Sequence, residues 1–119
     1  MNESDLAELK RRKAKLVIGM IGYMSASDAG YTEVDVEKCE SILEEFTANL
    51  QKLRQDADEP EILRCVRDIV LKLNKLNDKT GGCLIETDQR EDLWSYIDYA
   101  ARKSGLKTPG DITEEWRHW

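Results

Sequence analysis

Four glutamates form the most regular polar pattern in the sequence, with spacings of four, three and four residues: Glu33, Glu37, Glu40 and Glu44. In a helix this spacing places all four carboxylates on one face. Such a face could bind a cation or the basic surface of another protein, and a solvated helix face is the simpler interpretation. Like charges three or four residues apart weaken a helix by about 0.2–0.5 kcal/mol per pair. We therefore expect the stripe to serve more than solubility.

Catalytic groups are scarce elsewhere in the chain. His118 is the only histidine, so a two-histidine metal site or a histidine-activated nucleophile lacks a member. The inward-facing Glu-x-x-His motifs of di-iron four-helix proteins are absent, as are a phosphate-binding Gly-x-x-x-x-Gly-Lys loop and a Gly-x-Ser-x-Gly nucleophile motif. We predict no catalytic residue, no metal ligand and no cofactor. A metal-binding protein or enzyme that uses carboxylates alone is the alternative.

Two of the three tryptophans lie in the C-terminal segment 111–119. Tryptophan side chains carry much apolar surface, so Trp116 and Trp119 either pack back onto the rest of the protein, which we favour, or anchor a partner. Together with the four glutamates they are the candidate partner-binding residues.

The net charge of −6 is concentrated in one part of the chain. Residues 26–61 contain eleven acidic and three basic side chains, a balance of −8, whereas residues 62–119 contain ten of each. An acidic protein repels nucleic acid and anionic membranes and attracts basic proteins. We therefore predict a basic protein partner, and binding to neither nucleic acid nor membranes.

Cysteine usage and the N-terminal segment bear on the cellular location. The three cysteines are few, odd in number and widely spaced, which is typical of reduced thiols in a cytoplasmic protein. The basic run 10–15 followed by the apolar run 16–24 resembles a secretory signal peptide, although Gly19 and Gly22 weaken the apolar run. We expect an intact first helix, with cleavage near Asp28 as the alternative. The apolar run is too short to span a bilayer.

The elements that would position these residues are helices of a single domain, residues 1–119. Helix starts are indicated by Asp and Glu three residues apart, where each side chain can bond the other's backbone amide. These pairs are Asp5/Glu8, Asp58/Glu61, Asp88/Glu91 and Asp111/Glu114, with Thr32/Asp35 as a weaker version. We predict four helices and a short helical tail, at about residues 5–27, 33–56, 59–79, 88–104 and 111–119.

Apolar residues in the second and third predicted helices alternate at spacings of three and four, which makes each helix amphipathic. The second helix has Val36, Cys39, Leu43, Phe46, Leu50 and Leu53, and the third has Ile62, Val66, Ile69, Leu73 and Leu76. Short connections make successive helices antiparallel. The predicted fold is therefore an all-α four-helix bundle, most simply up-down-up-down, with a short C-terminal helical tail.

Gly19 and Gly22 lie on one face of the first helix. Each interior glycine costs about 1 kcal/mol relative to alanine. We expect close approach of another helix or of the tail to offset this cost, with a local kink as the alternative.

Three short stretches support a resemblance to a known group of proteins: 72–77 (Lys-Leu-Asn-Lys-Leu-Asn), the helix start 85–91 (Ile-Glu-Thr-x-x-Arg-Glu) and the terminal Trp119, with a weaker echo at 30–31. They resemble uncharacterised short all-helical bacterial proteins, some of them similar to immunity proteins encoded near secreted toxins. The resemblance implies a bacterial cytoplasmic protein with a binding role. We accordingly predict a non-catalytic protein of immunity or inhibitor type, with a structural homo-oligomer, such as a homodimer, as a further alternative.

Overall fold

The computed structural model describes residues 1–26, 28–53 and 57–119. Within these ranges the chain forms four helices and no strand: α1 (Glu3–Ala26), α2 (Glu33–Lys52), α3 (Glu59–Lys79) and α4 (Thr87–Lys103). The prediction of an all-α four-helix fold is confirmed. Helix α2 ends at Lys52, earlier than the predicted end at 56, because Leu53 has an extended backbone conformation. The predicted end of the first helix, at 27, lies outside the described residues.

The start of α1 differs from the prediction because another pair caps it. The Asp5 N–H donates to Asn2 Oδ1 at 2.8 Å, and the Asn2 N–H donates to Asp5 Oδ2 at 3.1 Å. Asn2 is thus the cap, and the helix begins two residues earlier than expected. Glu8 does not take part in the cap, because its carboxylate binds Arg11 and Arg12 one turn later.

The starts of α2 and α3 follow the sequence pattern more closely. The Thr32 N–H donates to Asp35 Oδ2 at 3.0 Å, and Asp58 Oδ1 accepts from the Glu61 N–H at 3.0 Å. Helix α4 begins one residue before the predicted start, and the residue at its N-cap is Glu86, whose side chain makes no capping hydrogen bond. The predicted capping role of Asp88 is therefore wrong.

Ionic contacts establish that neighbouring helices are antiparallel. Near the start of α1, Asp5 Oδ1 lies 3.8 Å from Lys103 Nζ at the end of α4. Later in α1, Lys15 Nζ lies 3.4 Å from Asp92 Oδ1, near the start of α4.

Helices α2 and α3 form a second closely packed pair. They are antiparallel too, because Val34 at the start of α2 lies with Lys79 at the end of α3, and Lys52 with Glu61 at the opposite ends. The two pairs make an up-down-up-down bundle.

The core lies along the predicted apolar faces. All the predicted face residues of α2 and α3 are buried except Leu53, which is half-buried. The apolar spacing of α1 and α4 predicts Ile21 and Trp94 on the core faces, but both side chains are exposed, whereas Tyr96 of α4 is buried.

The C-terminal segment packs back onto the bundle as a run of turns, not as the regular helix predicted for residues 111–119. The Thr113 carbonyl accepts from the N–H groups of Trp116 and Arg117, at 3.1 and 3.0 Å. The Asp111 carboxylate accepts from the Thr113 N–H at 2.9 Å, two residues on, and no hydrogen bond from the Asp111 N–H to the Glu114 side chain closes the predicted capping box. A local side-chain turn at Asp111 has replaced the helix start.

Candidate partner-binding surface

The four-glutamate stripe of α2 is divided by an ion pair. Glu33 and Glu37 are exposed and Glu40 is half-exposed. Glu44 lies at the α1 side, where its Oε1 accepts from Lys13 Nζ at 2.9 Å. Glu33, Glu37 and Glu40 form no ion pair with the described residues, and we call these three the α2 acidic edge.

A groove between α2 and α3 borders the same edge. It has a volume of about 570 Å³, and Glu37 and Val34 are among the residues that line it. Its apolar floor includes Ile42 and Leu76, and Val34 is 55% exposed. The cationic residues around it are Lys38, Lys72, Lys75 and Lys79. We call this feature the lysine-rimmed groove.

The lysines of this groove are only partly neutralised. Lys72 pairs with Glu45 across the two helices. A side-chain hydrogen bond with Lys79, followed by repulsion from the Lys79 charge, lowers the pKa of the Lys38 ammonium. The surface beside the α2 acidic edge is therefore positive, although the chain as a whole is negative.

The packing of the tail places both candidate tryptophans at the core. Trp119 is 7% exposed and belongs to the core, and Trp116 is half-buried against it. The Asn74 side chain holds the segment between them: Nδ2 donates to the Trp116 carbonyl at 2.7 Å and Oδ1 accepts from the His118 N–H at 2.9 Å. The first of the two alternatives for the tail, packing on its own bundle, is the one observed.

Candidate reactive groups are not assembled into a centre in the described part of the chain. The three cysteines are free thiols. Burial raises the pKa of Cys39 to about 12, and burial followed by the nearby Asp68 charge raises that of Cys65, so both thiols are disfavoured as thiolate nucleophiles. No three His, Cys, Asp or Glu side chains in the described ranges are grouped so that they could hold one metal ion.

Sequence reasoning missed two of the buried polar side chains, Asn74 and Gln89. Asn74 lies on the apolar side of α3 between Leu73 and Leu76, and its contact with the tail could not be inferred from its own helix. Gln89 of α4 is 6% exposed. The burial of Gln89 could have been predicted from the sequence. Gln89 lies four residues before Leu93, so the helical period places both residues on the core side of α4.

No helix within residues 1–26, 28–53 and 57–119 has both the length and the apolar character needed to cross a bilayer. Comparison of the chain with protein-family models, with curated proteins and with solved structures finds no match.

Proposed function

We propose that this protein is a non-catalytic, cytoplasmic binding protein of immunity or inhibitor type, which uses the α2 acidic edge to bind a basic protein. The observation that carries the proposal is a set of three neighbouring carboxylates that form no ion pair with the described residues: Glu33, Glu37 and Glu40. Elsewhere on the same helix, Glu44 and Glu45 each have a lysine partner.

Physical chemistry favours a partner for such an edge. Unpaired carboxylates along one helix face repel each other, and a basic surface would remove that repulsion. Complementary charge also accelerates encounter and selects against partners of the wrong sign. A nucleic acid would meet the same edge with like charge, so we do not assign it as a ligand.

Charge reversal tests the proposal. A variant with Glu33→Lys, Glu37→Lys and Glu40→Lys should lose at least about ten-fold in affinity for a purified basic protein partner, measured by calorimetry at low and at physiological salt. The matched control reverses three other exposed acidic residues, Asp78, Glu114 and Glu115, and makes the same change in net charge. Equal affinities of the two variants would refute the assignment of the edge.

A homodimer is the second candidate, and the lysine-rimmed groove favours it. Lys75 and Lys79 of one copy could meet Glu33 and Glu37 of another, since both features belong to the same face of the α2 and α3 pair. The exposed Val34 would add apolar contact at the centre.

Light scattering with charge swaps tests the dimer. Lys75→Glu with Lys79→Glu should abolish it, and so should Glu33→Lys with Glu37→Lys. Mixing the two variants should restore a dimer, because each then presents the charge that the other needs. A monomer at all concentrations and salt levels would rule this candidate out. The carboxylate-based metal protein or enzyme stays a prediction, which elemental analysis of protein purified without chelator would test.

A further inference from the structure

The two glycines of α1 leave space that nothing in the described chain fills. A Cβ built at Gly22 would meet no atom within 4 Å, and one at Gly19 would meet only Gln89 Nε2, at 3.7 Å. The expectation that close packing offsets the cost of these glycines is therefore wrong for Gly22, whereas at Gly19 the α4 side chain of Gln89 lies within van der Waals range.

The unfilled space is a groove between α1 and α4, which we call the α1/α4 groove. Its volume is about 450 Å³, within the range of small-ligand sites. Gly19, Gly22 and Gln89 line it, together with two α1 side chains that remain largely exposed: Ile18 at 71% and Tyr23 at 44%. The groove is thus apolar along α1.

Gln89 places an amide without a protein partner in this groove. The side chain is 94% buried, since its exposed fraction is 6%, and its amide forms no hydrogen bond with the described residues. The amide atoms themselves are not fully buried and therefore reach the groove. An amide that faces a groove and has no protein partner is available to hydrogen-bond a ligand there.

The α4 side of the groove is acidic. Asp88, Glu91 and Asp92 all line it. Asp92 is neutralised by Lys15, at 3.4 Å, whereas Asp88 and Glu91 are exposed and have no ion pair within the described ranges. The ligand should therefore be a cation with several N–H donors and an apolar stem.

We propose that the α1/α4 groove binds an arginine side chain of a partner protein, with the guanidinium donating to the Gln89 amide oxygen and to the carboxylates of Asp88 and Glu91. A guanidinium is planar, weakly hydrated and carries five N–H donors, so it can satisfy an amide and two carboxylates together. Its stem packs along Ile18, and its plane stacks on the Tyr23 ring. Lysine, a compact and strongly hydrated ammonium, fits this combination less well.

Three capped pentapeptides test the proposal. They differ only in the central residue, which is arginine, lysine or citrulline and lies between two leucines. Citrulline has nearly the shape of arginine but no charge. The arginine peptide should shift the amide resonances of Gly19, Gly22 and the Gln89 side chain saturably in isotope-labelled protein. The lysine and citrulline peptides should bind at least about five-fold more weakly. Equal binding of the three peptides, or no saturable shift, would overturn the assignment.

Variants of Gln89 separate binding from structure. Gln89→Met keeps the size and removes the amide, and should raise the Kd of the arginine peptide about ten-fold, the effect of one lost hydrogen bond to a charged group. Gln89→Glu should lower that Kd. Gln51→Met on α2, an exposed site, is the matched control and should leave it unchanged. An unaltered Kd in the Gln89→Met protein would contradict the proposal.

A third variant serves if the Gln89 changes prevent folding. Gly22→Leu introduces a side chain where a Cβ meets no neighbour, so the helix should form and the groove should be filled. Peptide binding should then be lost, and retained binding would count against the site. None of the residues of the α2 acidic edge lines the α1/α4 groove. The result of the peptide experiments is therefore independent of the charge-reversal test of the proposed function.

Discussion

Asn74 of α3 and Trp116 of the C-terminal segment are joined by a hydrogen bond of 2.7 Å, from the side-chain Nδ2 to the backbone carbonyl. The other end of the same amide accepts from the His118 N–H at 2.9 Å. One buried side chain therefore satisfies backbone groups on both sides of Arg117. We call this pair of hydrogen bonds the Asn74 bracket. It fixes the backbone just before Trp119, whose side chain is buried in the core.

Removing the bracket should loosen the tail. We expect Asn74→Ala to lower the free energy of unfolding by about 2 kcal/mol, because two hydrogen bonds are lost and two backbone groups are left without partners. Urea denaturation followed by tryptophan fluorescence measures the change. Asn49→Ala, at a half-buried α2 site, is the control and should cost less than about 0.5 kcal/mol. Equal losses in the two variants would show that the bracket does not stabilise the tail.

Gly30 should not tolerate a side chain. Its φ of +78° is in the left-handed region, and a Cβ there would lie 3.0 Å from Cys83 Sγ and 3.2 Å from Cys83 Cβ. We expect Gly30→Ala to cost about 2–3 kcal/mol, from backbone strain together with overpacking.

Gly81→Ala provides the matched comparison for this prediction. Gly81 also has a positive φ, +67°, but a Cβ there meets nothing within 4 Å. It should therefore cost only the backbone strain, about 1–2 kcal/mol. Thermal unfolding of both variants checks the difference between them, and a Gly81→Ala protein as unstable as Gly30→Ala would exclude a contribution from the Cys83 contact.

Glu8 should contribute to the decrease in the free energy of unfolding at acidic pH. Two hydrogen bonds from Arg11 lower the pKa of Glu8 from 4.5 to about 2. Partial burial opposes this shift, and one hydrogen bond from Arg12 adds to it. A carboxyl whose folded pKa is depressed stabilises the protein above its unfolded pKa, and this contribution is lost as pH falls toward the folded value. The loss should therefore occur between about pH 5 and pH 2.

Denaturation at several pH values tests this assignment. Glu8→Gln should flatten the decline in the free energy of unfolding between pH 5 and pH 2, since the ion pairs are already absent. Glu115→Gln, at an exposed tail position, should leave the slope close to that of the unmodified protein. An unchanged slope in the Glu8→Gln protein would show that Glu8 does not contribute to acid unfolding.

Local sequence patterns predicted the helices well because helix formation depends on spacing and caps within a few residues. The apolar period placed the core faces of α2 and α3, and Asp58 marked the start of α3. The start of α1 was missed because two acceptable caps, Asn2 and Asp5, compete within one turn.

Features that depend on contacts between distant segments were not predictable in the same way. The carboxylate stripe was evident, but its division by Lys13 depends on how α1 packs against α2. The bracket from Asn74 to the tail joins residues more than forty positions apart. The α1/α4 groove likewise exists only because α4 lies beside the two glycines of α1.

Cys39 should report global unfolding through its reactivity with a thiol reagent. It is buried, and burial followed by the nearby Glu40 charge raises its pKa to about 12, so the native protein holds very little of the reactive thiolate. In a variant with Cys65→Ser and Cys83→Ser, labelling of Cys39 should be slow and should accelerate with urea in parallel with unfolding. The single-thiol variant that retains Cys65, which is half-buried, should react faster without denaturant. Rapid labelling of native Cys39 would mean that α2 opens locally at this position, without unfolding of the bundle.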